Sequence, residues 1–346
     1  MIRDPVAVSG DPVAMTCDPV RAIADALLYE GYILWPYRRS ALKNQRRFTF
    51  GGVYPPAHSE RHPDDADGMQ TEVLLRARPS TRVRIAVRFL QVVQRQVARR
   101  RGESLELVEE LVAGGQTHLA WEEAVEREVH LRALWLAELQ EGVSVPIEIA
   151  GGRVEEQLPE RAGAVVRVWE GLAGELAVAA SPACDNVVRM SVRIRNTTPS
   201  RGAGSREDAL AHTFCSTHTV LAAQDGEFVS LTDPPPGLAG AAALCTNVGT
   251  WPVLVGEPPE AGAILSSPII LEDYPRVAPE SPGDLFDAAE IDQLLILSIL
   301  ALTDQEKAEM AASDPRARQM LARTEALTPE QLMALHGTIR ELGSAR

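Results

Sequence analysis

Val187-Val-Arg-Met-Ser-Val-Arg-Ile-Arg195 places Val188, Met190, Val192 and Ile194 on one face of an extended chain and Arg189, Arg193 and Arg195 on the other. Successive side chains of a β-strand point to opposite faces, so this period of two marks a strand with one buried face. Asn196-Thr-Thr-Pro199 then closes it with turn chemistry. The same alternation runs through Arg82–Leu90, with Val83, Ile85, Val87 and Phe89 opposed to Arg82, Arg84 and Arg88.

Working outward, the chain from Thr71, Ala164–Trp169, Leu176–Ala180 and Thr213–Ala223 also read as strands. Gln224-Asp-Gly-Glu227 predicts a hairpin turn returning along Phe228–Leu231, since Asp-Gly supplies the positive φ of a tight turn. Glu106–Val112 and Trp251–Val255 are two further candidates. Residues 121–140 are ambiguous. Val125, Val129, Leu136 and Leu139 fit a helix, but the run of apolar odd positions, Arg127 excepted, favours a strand in the second half. Short strands separated by turns predict a mostly antiparallel body, sandwich- or barrel-like.

The ends read differently. Asp18-Pro19 is a helix start, followed by Val20, Ile23, Ala24, Leu27 and Leu28 at helical spacing and Gly31 as a stop. Near the other end, Asp287-Ala-Ala-Glu290, Thr303-Asp-Gln-Glu306, Asp314-Pro315 and Thr328-Pro-Glu-Gln331 are four more starts, three of them shaped like capping boxes. The expected fold is therefore α+β. Residues 1–70 form an N-terminal helix, an aromatic segment and an exposed loop. Residues 71–270 form the β-rich body, and 271–346 a proline-rich tether and a helical tail.

Composition narrows the function. The chain has 346 residues, 45% of them hydrophobic, enough for a sizeable core. Its net charge of −14 opposes nucleic acid as the main partner, because phosphate backbones are bound by positive surface. Cys17, Cys184, Cys215 and Cys245 are far apart and form no CxxC pair, which suits reduced thiols. The longest strongly apolar run, Leu294–Leu302, falls well short of the roughly 20 residues a bilayer span needs. With no export signal read at the N-terminus, the expected location is the cytoplasm.

Few residues suggest chemistry. His212-Thr-Phe-Cys215-Ser-Thr-His218 is the densest set of soft ligands, and imidazole and thiolate suit a transition metal. On a regular strand, however, His212 and His218 share a face that Cys215 does not, so one metal would require a bulge. His58-Ser-Glu-Arg-His62, followed by Asp64, Asp65 and Asp67, could hold a metal if helical, but the prolines around it favour a solvated loop. Arg76–Arg101 carries nine arginines and no acidic residue. It reads as an anion-binding stripe or, better, as a face neutralised by the Glu-rich 103–128 segment. No nucleophile elbow, phosphate loop or dinucleotide fingerprint is present, and no cofactor is expected beyond a possible metal. The segment 266–287 is apolar and stiffened by proline. It is a tether for the helical tail or a docking surface, with Pro268, Tyr274, Pro275, Pro279 and Phe286 as the interaction candidates.

Two stretches carry a resemblance. Ala26-Leu-Leu-Tyr-Glu-Gly-Tyr-Ile-Leu-Trp-Pro-Tyr-Arg38, continuing to Arg47-Phe-Thr-Phe-Gly-Gly-Val-Tyr54, and Ser267-Pro-Ile-Ile-Leu-Glu-Asp-Tyr-Pro-Arg-Val-Ala-Pro-Glu-Ser-Pro-Gly-Asp-Leu-Phe-Asp287 resemble uncharacterised accessory proteins encoded beside high-affinity uptake [NiFe]-hydrogenases of actinobacterial type. The resemblance implies a context, namely assembly, maturation or stability of a hydrogenase, with its subunits or maturation factors as partners. It assigns no functional residue. Three readings follow: a non-catalytic accessory protein, a metal-dependent enzyme with ligands in the β-body, or a metal carrier without turnover.

Overall fold

The computed structural model describes residues 18–30, 32, 48, 50–200, 205–276, 296 and 298–328. Its β-strands are β1 (Gly68–Arg76), β2 (Arg82–Arg101), β3 (Ser104–Val108), β4 (Glu110–Ala113), β5 (Gln116–Leu119), β6 (Trp121–Trp135), β7 (Val143–Ile149), β8 (Gly152–Gln157), β9 (Gly163–Trp169), β10 (Leu172–Cys184), β11 (Val187–Asn196), β12 (Cys215–Gln224), β13 (Glu227–Val229), β14 (Trp251–Leu254) and β15 (Ala263–Ser267). The helices are α1 (Asp18–Leu28), α2 (Pro56–Ser59), α3 (Leu136–Glu141), α4 (Arg206–Leu210), α5 (Ala239–Ala242), α6 (Asp304–Ser313) and α7 (Pro315–Glu325). The protein is α+β, with a mostly antiparallel β-body and short helices toward the C-terminus, as the alternation predicts. Among the described residues no helix is long and apolar enough to cross a membrane.

Two sheets stack face to face. The smaller has the order β13-β1-β11-β10-β7 and the larger β14-β15-β12-β2-β9-β8, with β6 and β3 paired to the other side of β2. Their common core is built from the inward parities: Met190, Val192 and Ile194 of β11 and Val73 and Leu75 of β1, against Val83, Ile85, Val87 and Phe89 of β2. Phe89 stacks on Phe214 with ring centroids 4.6 Å apart.

β2 organises the molecule. It pairs with β12 along Arg82–Leu90 and with β9 along Gln94–Arg99, while β6 follows it from Arg82 to Arg95. Every position from Ile85 to Val93 is buried, so this strand is covered on both faces, not one. The second cover is helical. Val20, Ile23 and Ala24 of α1 pack on Ala86, Val220 and Leu265. Leu28, Tyr29 and Tyr32 join Met310, Ala317 and Met320 over Leu90 and Val92. The described helices α1, α6 and α7 thus share a core with the sheet instead of standing apart from it.

Several expectations need correction. Gln224–Glu227 is not a hairpin: β12 lies in the larger sheet, whereas β13 pairs with β1 in the smaller. Asp225, not Gly226, takes the positive φ, at 58°. A Cβ on Gly226 would lie 2.9 Å from Thr81 Cγ2, so close approach, not φ, calls for glycine there. β6 is strand from Trp121 to Trp135, so the strand expected in the second half of the ambiguous region is present over 131–135 and gives way to helix at Leu136. Glu106–Val112 is split between β3 and β4. The 51–70 stretch is not simply an exposed loop, for Val53, Tyr54 and His58 are buried around the helical turn α2.

At the C-terminal end the capping chemistry holds where it is described. Thr303 accepts the amide of Glu306, and the Glu306 carboxylate accepts the Thr303 amide at 2.9 Å. Asp314 caps α7 through the Arg316 amide at 2.8 Å. The starts expected at Asp287 and Thr328 extend outside the described residues.

The sheet edges are guarded. β7 carries Pro146, β14 carries Pro252, β8 carries Arg153, Glu155 and Glu156, and β13 is only three residues long. Proline and charge both discourage a foreign strand from pairing with an open edge. Pro146→Val restores a donor and a flat apolar edge on β7. It is expected to raise concentration-dependent self-association above that of the parent protein, as read by light scattering on a sizing column.

Candidate functional site

The site begins with an irregularity in β12. Cys215 pairs with Leu90 and His218 with Arg88, so three steps on β12 are matched by two on β2. Ser216 absorbs the extra residue at φ 49°. The bulge is held from outside the strand: the Ser216 amide donates to the Phe50 carbonyl at 3.1 Å and the Thr217 amide to Gly51 at 2.9 Å. Gly51 sits at φ +54°, where a Cβ would strike Pro268 Cγ at 2.6 Å. Because a bulge shifts the alternation by one, Cys215 and His218 stand on the same face of the sheet. The bulge that the sequence required for this pair is therefore present.

His212 is not brought to them. It precedes β12 in the turn after α4, where its carbonyl accepts the Asn196 side-chain amide at 2.7 Å. Among the described residues no three His, Cys, Asp or Glu side chains are placed to hold a metal ion together. His58 and His62 do stack, at 4.4 Å between centroids, on the helical turn the sequence made conditional. His58 also stacks on Tyr54 and brings Nε2 to 2.7 Å from Asp65.

His218 is fully buried. Its Nδ1 lies 2.6 Å from the Ser216 carbonyl. A carbonyl only accepts, so Nδ1 carries the proton and Nε2 is left as an acceptor. Among the described residues nothing donates to it. Burial lowers the pKa of His218 to about 4; the Ser216 carbonyl opposes this and the positive charge of Arg88 adds to it. Cys215 is equally buried, and desolvation pushes its thiol up to about 12. Both groups are therefore neutral near pH 7, and a thiol in that state is no nucleophile.

Around this pair lies a layer of ion pairs that sequence reasoning placed only in part. Arg88, expected to face solvent, is 4% exposed and lies beneath α1. It is paired closely with Asp25 of α1 and lies 3.6 Å from Glu126 and 4.0 Å from Glu128 of β6. Arg316 of α7 reaches Glu126 at 3.7 Å while its guanidinium lies 3.2 Å over the Tyr29 ring. Further along β2, Arg95 pairs with Glu123 at 3.1 Å, and Arg167 meets the same carboxylate at 2.6 Å. Arg95 also donates to the carbonyls of Ala312 and Ser313 at the end of α6. Tyr32 donates to Asp314 at 2.8 Å, whose carboxyl is raised chiefly by burial. Within the arginine-rich stretch, Arg88, Arg95 and Arg101 meet acids of 103–128, and at Arg88 and Arg95 the pairing is internal. It sews α1, α6 and α7 to the sheet.

The interaction candidates fall into two groups. Pro268 is buried against Gly51, while Tyr274 is half-buried on the sandwich core and Pro275 is also half-buried. These three hold the segment down, as a tether does. Pro279 and Phe286 lie outside the described residues. What stays in water is next to them. Leu254 donates its amide to Asp273, and Tyr274 donates its own to the Leu254 carbonyl, so 271–274 runs beside β14. That brings Ile270, 73% exposed, to the end of β14 where Trp251 stands 43% exposed. Phe50, also 43% exposed, is next in the chain to Gly51, which lies against Pro268. Neither Trp251 nor Phe50 has a pattern in the sequence that marks it as exposed; only the tertiary pairing does. No protein-family model matches the chain, and no curated protein matches it significantly.

Proposed function

We propose that the protein is a non-catalytic accessory protein that binds a protein partner. The partner is a subunit of a [NiFe]-hydrogenase or one of its maturation factors, as the resemblance of the two end segments implies. The observation that carries the binding reading is the exposure of Trp251, Ile270 and Phe50, whose chain neighbours converge on the buried Pro268: Trp251 pairs with Ser267, and Gly51 lies against Pro268. Large apolar side chains gathered at one place mark contact surfaces more often than singly scattered ones do. The charged groups on the outer face of the larger sheet support it from the other side, because they are engaged with one another in holding the helices.

Affinity capture from the native host tests this. Hydrogenase subunits or maturation factors are expected to co-purify with the parent protein, and their recovery to fall about tenfold with Trp251→Ser/Ile270→Ser, the loss typical of removing two anchor side chains. Equal recovery with both proteins removes the patch from the reading. Absence of any hydrogenase-related protein removes the partner.

A bound transition metal is the second reading. It is favoured by the bulge that sets Cys215 beside His218 and by the unpartnered His218 Nε2. Metal analysis of untagged protein decides it.

A further inference from the structure

We infer that Cys215 and His218 together hold one copper(I) ion, a soft monovalent metal, between a thiolate and an imidazole. The inference rests on the metal reading given second above and names the ion. Cys215 stands opposite Leu90 and His218 opposite Arg88, two positions apart on β2. At about 3.3 Å per residue those positions are about 7 Å apart on one face of the sheet. It is the face toward α1, where Leu90 packs with Leu28 and Arg88 pairs with Asp25. Metal–sulfur and metal–nitrogen bonds of about 2.3 and 2.0 Å put two donors about 4 Å apart across one ion, a gap that a cysteine and a longer histidine on one face can close. Without the bulge at Ser216, residues three apart would point to opposite faces.

The imidazole is already fixed as a ligand's would be. Its Nδ1 donates to the Ser216 carbonyl at 2.6 Å, the support that ligating histidines draw from backbone carbonyls. The Nε2 lone pair is left inside the protein, in a side chain with no exposed surface, and no described residue donates to it. Among the described residues the Cys215 thiol has the Thr213 carbonyl as its hydrogen-bond partner, at a long 3.8 Å. Donor number and charge then choose the ion. Zinc and nickel take four or more donors, and no described group of three His, Cys, Asp or Glu side chains forms around this pair. Copper(I) is complete with two donors in line, and thiolate selects it. It also makes the complex neutral: the thiol proton leaves to solvent, sulfur–copper and nitrogen–copper bonds form, and no electron is transferred. A divalent ion would leave a net positive charge in a fully buried place, next to the guanidinium of Arg88. Asp25, Glu126 and Glu128 do not offset it, being engaged with that guanidinium.

The test uses the full untagged chain, reduced and stripped of metal, titrated without oxygen with copper(I) as its acetonitrile complex against a chromophoric copper(I) chelator. The parent is expected to retain one ion per chain, to release one proton for it and to melt at a higher temperature, because the ion binds the folded state. Cys215→Ser and His218→Gln are each expected to weaken retention at least about a hundredfold, the upper end of what an outer-sphere change at a metal site costs. Cys184→Ser/Cys245→Ser, which removes the other described thiols, is expected to match the parent. X-ray absorption of the loaded parent should show two ligands, one sulfur and one nitrogen, a readout that needs no variant to fold. Retention by Cys215→Ser equal to the parent's would assign the copper to other thiols and overturn the inference. If the parent fails to hold copper(I) but holds zinc(II) or nickel(II), and loses it with the same two substitutions, the choice of ion falls and the metal reading stands. If none of the three ions binds in a way that depends on Cys215 and His218, both fall.

Discussion

Arg88→Met is expected to lower the unfolding free energy by about 3 kcal/mol. The guanidinium is buried, and three carboxylates converge on it, Asp25 from α1 and Glu126 and Glu128 from β6. Removing the cation leaves three anions facing one another beneath a helix. Breaking a buried pair from one side costs about 3–5 kcal/mol. The lower end applies because the carboxylates keep about a quarter to a third of their surface in water. Arg101→Met is the comparison: that arginine pairs with Glu106, but both side chains are more than half exposed, and the expected loss is within about 0.5 kcal/mol. Urea denaturation reads both. Adding Asp25→Asn and Glu126→Gln to Arg88→Met should recover part of the loss, since it removes the repulsion that the first change creates. A parent-like midpoint for Arg88→Met would mean that water, not Arg88, balances these carboxylates.

This cluster shows where reading the sequence succeeds and where it stops. The period of two in Arg82–Leu90 and Val187–Arg195 identifies the strands and their inward faces, because alternation is a local consequence of backbone geometry. It also implies that the opposite parity is solvated, which holds for Arg193 and Arg195 but not for Arg88. Nothing local distinguishes them. The difference is that α1 and α7, remote in sequence, lie over one sheet face and not over the other. Capping signals at Thr303 and Asp314 are legible for the same reason alternation is: each needs only its own next few residues.

The bulge in β12 was legible only as a condition. Its cause is the pairing of Ser216 and Thr217 with Phe50 and Gly51, more than 160 positions away. The Asp225-Gly226 turn misled through the opposite error. A local turn signal is real there, but whether its two arms pair with each other is decided by which sheet each joins. The exposed Trp251 and Ile270 are likewise products of the strap 271–274 lying beside β14.

Acidification from pH 6.5 to 4 is expected to cost about 3 kcal/mol of stability through His218 alone. The folded protein holds this imidazole neutral down to about 4, first by burial, whereas the unfolded chain protonates it near the ordinary 6.5. Between those values the unfolded state binds the extra proton, so stability falls as the pH falls. Above about 6.5 both states are neutral and the full contribution is present; below about 4 both are protonated and the loss is complete. Asp314 acts in the opposite sense, since its carboxyl is raised in the fold and takes up a proton before the unfolded chain does. The difference between parent and His218→Gln removes that contribution and those of the other carboxylates. The parent should lose about 3 kcal/mol more than His218→Gln across this window in urea titrations. The variant is also expected to start from lower stability at pH 7.5, because glutamine must satisfy an amide where Nε2 has no donor. Parallel pH profiles would mean that His218 is protonated or hydrated in the folded protein, and the dry, neutral site beside Cys215 would have to be given up.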